Sequence, residues 1–270
     1  MRLCCATTDS RLMRTHVNNY EGEGLRKFFV FCAFVALAHA ELFVYGPGGP
    51  ASVITELARQ FSEKTGEKVT IIAGPAAQWI ERAKEDADVI YAGNSSMMDS
   101  FVARLPKQLS HDDVRVLNIR EAGIVVRPGN PRRISRFEDL TRDGIRIMVV
   151  NGAGQVGLYE DMALKGGDRS MLVKLRKNIR FYANTTAEAI DQWNSDNTLD
   201  AFIVWEHWGI SLGRREATFV RVDSAHILYR AAEIAITKTS PNRQRAGEFV
   251  EFLQTQEAQE VWRKMGWKGL

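Results

Sequence analysis

Hydrophobic residues along this chain fall into short continuous runs that alternate with helically spaced ones. Leu42-Phe43-Val44-Tyr45 is a run of the first kind, a buried strand, and Gly46-Pro47-Gly48-Gly49-Pro50 turns out of it. Val53, Ile54, Leu57 and Phe61 then share one face of a helix, with Pro50 suited to its first turn and Gly66 ending it. Val69–Ile72 is the next strand, followed by Gly74-Pro75 and a helix carrying Ile80 and Ala83. Asp88–Tyr91 is the third, and Gly93-Asn94-Ser95-Ser96 opens a helix with Met97, Met98, Phe101 and Val102 inward. Strand, glycine turn and helix, repeated, is the pattern of a parallel sheet with helices on its faces.

A second series follows. Strands are predicted at Gly123–Arg127, Ile145–Val150, Ile179–Tyr182, Leu199–Trp205, Phe219–Val222 and Glu233–Thr237. Between them, one helix carries Val156, Tyr159, Met162 and Ala163. Another, capped at Asn184-Thr185-Thr186, carries Ala189, Ile190 and Trp193. Two helices close the chain, with Ala246, Phe249, Val250 and Leu253 inward on the first and Ala258, Val261, Trp262 and Met265 on the second. Ile124–Pro131 and Ile234–Asn242 each join an extended apolar run to proline punctuation, and read as two crossovers between lobes. The expected fold is α/β and two-lobed, each lobe a mainly parallel sheet flanked by helices. Lobe 1 is residues 41–122 plus 227–270 and lobe 2 is 123–226.

The first forty residues follow a different pattern. Arg26-Lys27 precede an apolar run from Phe28 to Leu37, and Ala38-His39-Ala40 ends it, which is the form of a secretory signal peptide. The run is too short for a bilayer core, which needs about 20 apolar residues. Residues 1–24 are polar and aperiodic, so translation is expected to begin at Leu25, with a signal peptide over 25–40 and an exported, periplasmic product.

Cleavage there changes the composition. The full chain has 36 Lys+Arg against 33 Asp+Glu, a net charge of +3. Residues 41–270 keep 31 basic and 30 acidic residues, a net charge of +1, which gives no electrostatic case for nucleic acid. Cys4, Cys5 and Cys32 all lie ahead of the cleavage point, so the exported protein has no disulfide and no thiol chemistry.

Candidate chemistry therefore rests on backbone and neutral donors. A helix N-terminus carries about half a positive charge and up to four unpaired N–H groups, and preceding glycines let a ligand come close to the backbone. Five such ends point to the carboxyl edges of strands, where open α/β sheets bind ligands. They are Gly48, Gly49 and Ser52; Gly74 and Gln78; Ser95 and Ser96; Asn151, Gly152, Ala153, Gly154 and Gln155; and Thr185 and Thr186. The corresponding segments 46–52, 74–79, 93–97, 151–155 and 184–186 contain no charged residue. The same hydroxyls and amides also suit simple helix caps. Gly152–Gly157 is a G-x-G-x-x-G, but the next strand ends without the acid a dinucleotide ribose needs, leaving an anion cradle or a plain tight turn.

Arg127 is a candidate positive contact from the crossover, and equally an exposed hinge residue. Trp79, Trp193, Trp205 and Trp208 suit cleft walls or core packing, and Trp205-Glu206 at a strand end is the pair most suited to a cleft. His111, His207 and His226 lack zinc-ligand spacing, and neither a nucleophile elbow nor a phosphate-loop lysine is present. No catalytic residue, metal or cofactor is expected.

The element order, Arg127-x-Gly129-Asn130-Pro131 and the Ala246…Phe249-Val250-Glu251-Phe252-Leu253…Glu257-Ala258-Gln259…Gly266 pattern resemble type II periplasmic substrate-binding proteins. Tyr45–Pro50, Asn151–Gln155 and Asp200–Trp205 are similar to segments of the accessory colonization factor AcfC and the attaching-and-effacing-associated protein Paa. The resemblance implies a hinge-closing binder of a small anion: a sulfate- or molybdate-like oxyanion, a small carboxylate or a phosphorylated acid. An ABC permease is the implied partner. The alternative it carries is an adhesin that uses the fold against a host-cell surface, and a homodimer is a further implied assembly.

Overall fold

The computed structural model describes residues 41–213 and 215–270; the expected signal peptide and upstream leader lie outside the described residues. Strand β1 (Leu42–Gly46) leads into helix α1 (Gly48–Thr65), which buries Val53, Ile54, Leu57, Ala58 and Phe61 along one stripe. Gly66, at φ 76°, ends α1 in the left-handed conformation that glycine adopts without steric cost, and its N–H reaches Ser62 O. Strand β2 (Val69–Ala73), α2 (Ala76–Asp86), β3 (Val89–Ala92) and α3 (Ser95–Arg104) follow. Strands β2 and β3 flank β1 in parallel.

The strand expected at Gly123–Arg127 is much longer: β4 runs Arg115–Val126. Its first part was masked in sequence by Asn118, Arg120 and Glu121, polar residues that nonetheless are buried. Beyond β4, a 3-10 turn (Phe137–Thr141) and then β5 (Ile147–Val150) follow. The next helix does not open at the glycines of 152–154. Residues Ala153–Gln155 form a 3-10 turn, Gly157 takes φ 71°, and α4 spans only Leu158–Leu164. Helix α5 (Arg169–Asn178), capped by Asp168, has no counterpart in the hydrophobic pattern because its charged face dominates it. Then come β6 (Ile179–Ala183), α6 (Thr186–Ser195), β7 (Ala201–Trp205), α7 (Glu206–Leu212), β8 (Thr218–Val220) and β9 (Tyr229–Ile236), and α8 (Arg243–Phe252) and α9 (Gln256–Lys264) close the chain.

The strands join in the order β2-β1-β3-β9-β4-β7-β5-β6, with β8 also on β4. Pairing is parallel in the outer parts and antiparallel where β4 and β9 run between them. Strand β4 changes partners midway. Arg115–Glu121 pair with β9, and Ala122–Val126 pair with β7. Each half of the sheet is covered on both faces. Helices α1, α8 and α9 cover one face of the first half, and α2 and α3 the other. In the second half, the 137–141 turn, α4 and α5 cover one face, and α6 the other. Burying these faces is the main stabilising term. Among the described residues, no helix is long and apolar enough to cross a membrane.

Candidate ligand site

In the part of β4 that pairs with β9, just before the change of partner, the strand register sets Arg120 directly opposite Arg230. Like charges directly opposite one another across an antiparallel pair are destabilising. Arg120 is also 3% exposed, so its charge is out of water. Its guanidinium lies over the Trp205 ring, 4.2 Å from the centroid, and Nη2 donates one long bond of 3.3 Å to Gly154 O. Its Nε has no partner. Burial, and then the Arg230 charge, push its pKa down to about 9, and no carboxylate offsets them. The adjacent Glu121 is committed elsewhere, to Lys268 and Arg221. Arg230 also reaches Gly154 O, at 3.1 Å, and pairs with Asp161 at the exposed end.

Three of the five expected segments converge on Arg120. A Cβ on Gly49 would lie 3.8 Å from its Nη1, one on Gly93 3.5 Å from Nη2, and one on Gly154 2.8 Å from Nη2. The guanidinium lies between β1–α1, β3–α3 and the 151–155 turn, and of the three glycines only Gly154 sits where a Cβ would crowd it. At α1 the cap is Pro47, which offers no side-chain acceptor, so its first N–H groups are not capped by a side chain. At α3 and α6 the caps are made by Asn94, which accepts from Met97 N, and Thr185, which accepts from Glu188 N.

The 151–155 turn differs from the expected cradle in the direction of its dipoles. With no helix starting there, Gly154 presents its carbonyl to both arginines and acts as an acceptor. Gly152 has a packing reason: a Cβ would fall 1.7 Å from Asn184 O. That contact, the bond from Asn151 N to Ala183 O and the one from Gln155 Nε2 to Thr186 Oγ1 join the 151–155 and 184–186 segments. Ser52, Ser96 and Asn151 are exposed. Gln78 is exposed and its Oε1 lies against Gly74, while Ser95 Oγ donates to Glu233.

Trp205 joins the Arg120 group and its Nε1 is buried without a partner. Glu206, its neighbour, does not: it accepts from Arg221 at 2.6 Å. Arg127 also stands apart. It lies 3.7 Å over the Trp193 ring and donates from Nε to Leu199 O at 2.8 Å and from Nη2 to Asp196 O at 2.6 Å, so it ties local chain segments together. Trp79 packs against Tyr45 and Phe101. His226 bridges Met162 O and Glu138. The residues at this site that sequence reasoning missed are Arg120 and Arg230. The available signal for Arg120 was an ionisable pair, Arg120-Glu121, inside a stretch long enough to be a strand.

Among the described residues, no group of three or more His, Cys, Asp or Glu is placed to hold a metal ion. A groove between α1 and α9 is lined by Lys64 and Glu257, which pair with each other, and by Arg59 and Glu63, which do the same. It offers no unpaired charge comparable to Arg120.

A family model for bacterial extracellular solute-binding proteins matches residues 42–268. The chain belongs to that family. It is 29% identical to PEB3 in its L-phospholactate-bound structure, with a TM-score of 0.76, covering 85% of this chain and 100% of that one. The structure of Peb3 from Campylobacter jejuni gives the same values. The sulfate-binding protein SubI of Mycobacterium tuberculosis H37Rv is 20% identical at TM-score 0.67, covering 86% of this chain and 88% of that one. The periplasmic molybdate-binding protein of Azotobacter vinelandii is 18% identical at TM-score 0.63, covering 84% and 98%. The last two show the shared fold alone. A search of curated protein sequences gives no match.

Proposed function

We propose that this solute-binding protein captures a small anion on Arg120 and Arg230 and delivers it to an ABC permease in the envelope. One observation carries the reading: two arginines face each other across β4 and β9, one of them buried, with no carboxylate to neutralise Arg120. A buried charge without a counter-charge is costly, and an anionic ligand removes that cost. Trp205 Nε1 and the unpartnered Arg120 Nε add donors on the same group, which suits a ligand with several oxygen atoms.

Among small anions we favour a phosphorylated three-carbon acid over sulfate or molybdate. PEB3, the nearest in identity of the relatives above, was solved with L-phospholactate, and two guanidinium groups match a ligand with two anionic ends. Capture is by closure of residues 41–122 plus 227–270 onto 123–226, with the partner change in β4 as one hinge. The site uses Arg120, Arg230, Gly49, Gly93, Gly154 and Trp205. The family is one of solute-binding proteins, and PEB3 was solved with L-phospholactate bound, which favours capture over adhesion and over enzymatic turnover. The AcfC and Paa motifs support that group as the nearer kinship.

Calorimetry of the purified protein against phospholactate, sulfate, molybdate and citrate tests the reading. We expect micromolar or tighter binding of at least one, with a rise in melting temperature. A ligand at 1,000 times its Kd stabilises by about 4 kcal/mol. Absence of any shift across the panel rejects anion capture.

A further inference from the structure

His207 follows Trp205 by two residues, on the first turn of α7, so the chain brings both side chains to the same sheet edge. The C-terminal segment holds its ring in place. Gly266, at φ 85°, packs so closely that a Cβ would lie 2.6 Å from His207 Cα, and Trp267 stacks on the imidazole with centroids 4.9 Å apart and planes at 21°. Trp262 braces Trp267 edge-on at 5.0 Å. The imidazole is 3% exposed, yet neither ring nitrogen has a hydrogen-bond partner. Buried polar atoms of this kind are rare in folded proteins and ask for a reason. Nε2 is directed to Gly49 at the start of α1, 3.9 Å from where a Cβ would be, and Arg120 Nη1 approaches the same glycine.

The charges around the ring sort clearly. From β4, Arg120 faces it; from α1, the uncharged Gly49; from the C-terminal segment, the Trp267 ring. Lys268 is turned to Glu121, and Glu206 of α7 is paired with Arg221. No unpaired carboxylate is left to stabilise an imidazolium. Burial, and then the Arg120 charge, hold the imidazole well below its usual pKa, so the ring is neutral in the anion-free protein.

We propose that His207 is a ligand contact that gains a proton as the anion binds, with Trp267 as its positioning residue, so that capture is proton-linked. This rests on anion capture at Arg120. An anion there supplies an acceptor for Nε2–H and offsets the guanidinium charge that opposes protonation. The proton comes from solvent and stays on the ring as long as the ligand does.

Calorimetry of the intact protein with sulfate and with phospholactate, in buffers of different ionisation enthalpy, reads the proton count. Sulfate carries no titrating group in the range, so any uptake is the protein's. At pH 6 we expect about one proton per anion, and an affinity that rises up to about tenfold for each pH unit lowered between 7.5 and 5.5. His207→Gln keeps a donor but no titration. It should bind about threefold more weakly at pH 8 and at least about tenfold more weakly at pH 5.5, without uptake of its own. Imidazole NMR of the unmutated protein is independent of any variant: the His207 titration should move upward when anion is added. Binding with equal proton uptake in the two proteins, or an unmoved His207 titration, overturns the proposal and leaves capture standing. Should neither bind, the same measurements are made with molybdate and citrate, and binding of none of the four at any pH removes capture and this proposal together.

Discussion

Two arginines, Arg120 and Arg127, lie seven residues apart on one stretch of chain, and each places its guanidinium over a buried tryptophan. Arg127 is 3.7 Å from the Trp193 ring and Arg120 4.2 Å from the Trp205 ring. Otherwise they are opposites. Arg127 spends its donors on two carbonyls, and although burial lowers its pKa, Asp196, Asp200 and Glu216 counter that. Arg120 has one long bond, an orphaned Nε, and another arginine as its charged neighbour. The first arrangement is balanced by groups of the protein itself; the second is not, and that imbalance is what carries the proposal of a ligand at Arg120. The tryptophan contact by itself therefore says nothing about function. What separates the two residues is whether charge and donors are balanced within the fold.

The sharpest way to break this comparison is Arg120→Met. Calorimetry should show anion affinity falling by about 10²- to 10³-fold, the usual consequence of removing one partner of a desolvated charge pair. The anion-free melting temperature should hold or rise, because an uncompensated buried charge is gone. A large loss of anion-free stability would mean that Arg120 is structural after all.

Arg127→Met should do the reverse. Chemical denaturation should show a loss of about 2 kcal/mol, since two carbonyls lose a charged donor and Trp193 loses its cation. Anion affinity should stay within about a factor of two, because distant, independent sites behave additively. Weaker again is Arg230→Met, expected to cost about tenfold in affinity, since Asp161 already offsets part of that charge and its outer end is exposed.

The smallest effect is on pH dependence without ligand. The folded imidazole of His207 lies below its unfolded value of about 6.5, so the unfolded chain takes a proton first. That contribution to stability is complete above about pH 6.5 and is lost as pH falls, by at most about 1.4 kcal/mol per unit. Melting curves of His207→Gln between pH 7 and 5 should be flatter than those of the unmutated protein.

Much of the fold is legible in the hydrophobic pattern because one-face burial imposes it. The stripe Val53, Ile54, Leu57, Phe61 is buried on α1, and the runs expected at 42–45 and 88–91 are strands Leu42–Gly46 and Val89–Ala92. Strand β4 was legible only from Gly123 onward. Its earlier half carries buried polar residues whose partners come from far along the chain, Gln259 for Asn118 and Lys268 for Glu121. The glycine turns were legible as turns, and three of them, at Gly49, Gly93 and Gly154, border the Arg120 guanidinium; a Cβ at Gly154 would crowd it, and Gly154 turns a carbonyl to it ahead of α4, which starts only at Leu158.

Sequence alone determined the alternation of strands and helices, the confinement of every cysteine to the first 40 residues, and the absence of charge from the five turn segments, since these depend on local composition and period. Which arginine is left without a counter-charge depended on tertiary structure. Strand register sets Arg120 against Arg230, and a carboxylate neutralises one guanidinium or another only through contacts between residues remote in the chain. Periodicity reports whether a position is buried. It carries no information about what charge lies across from it.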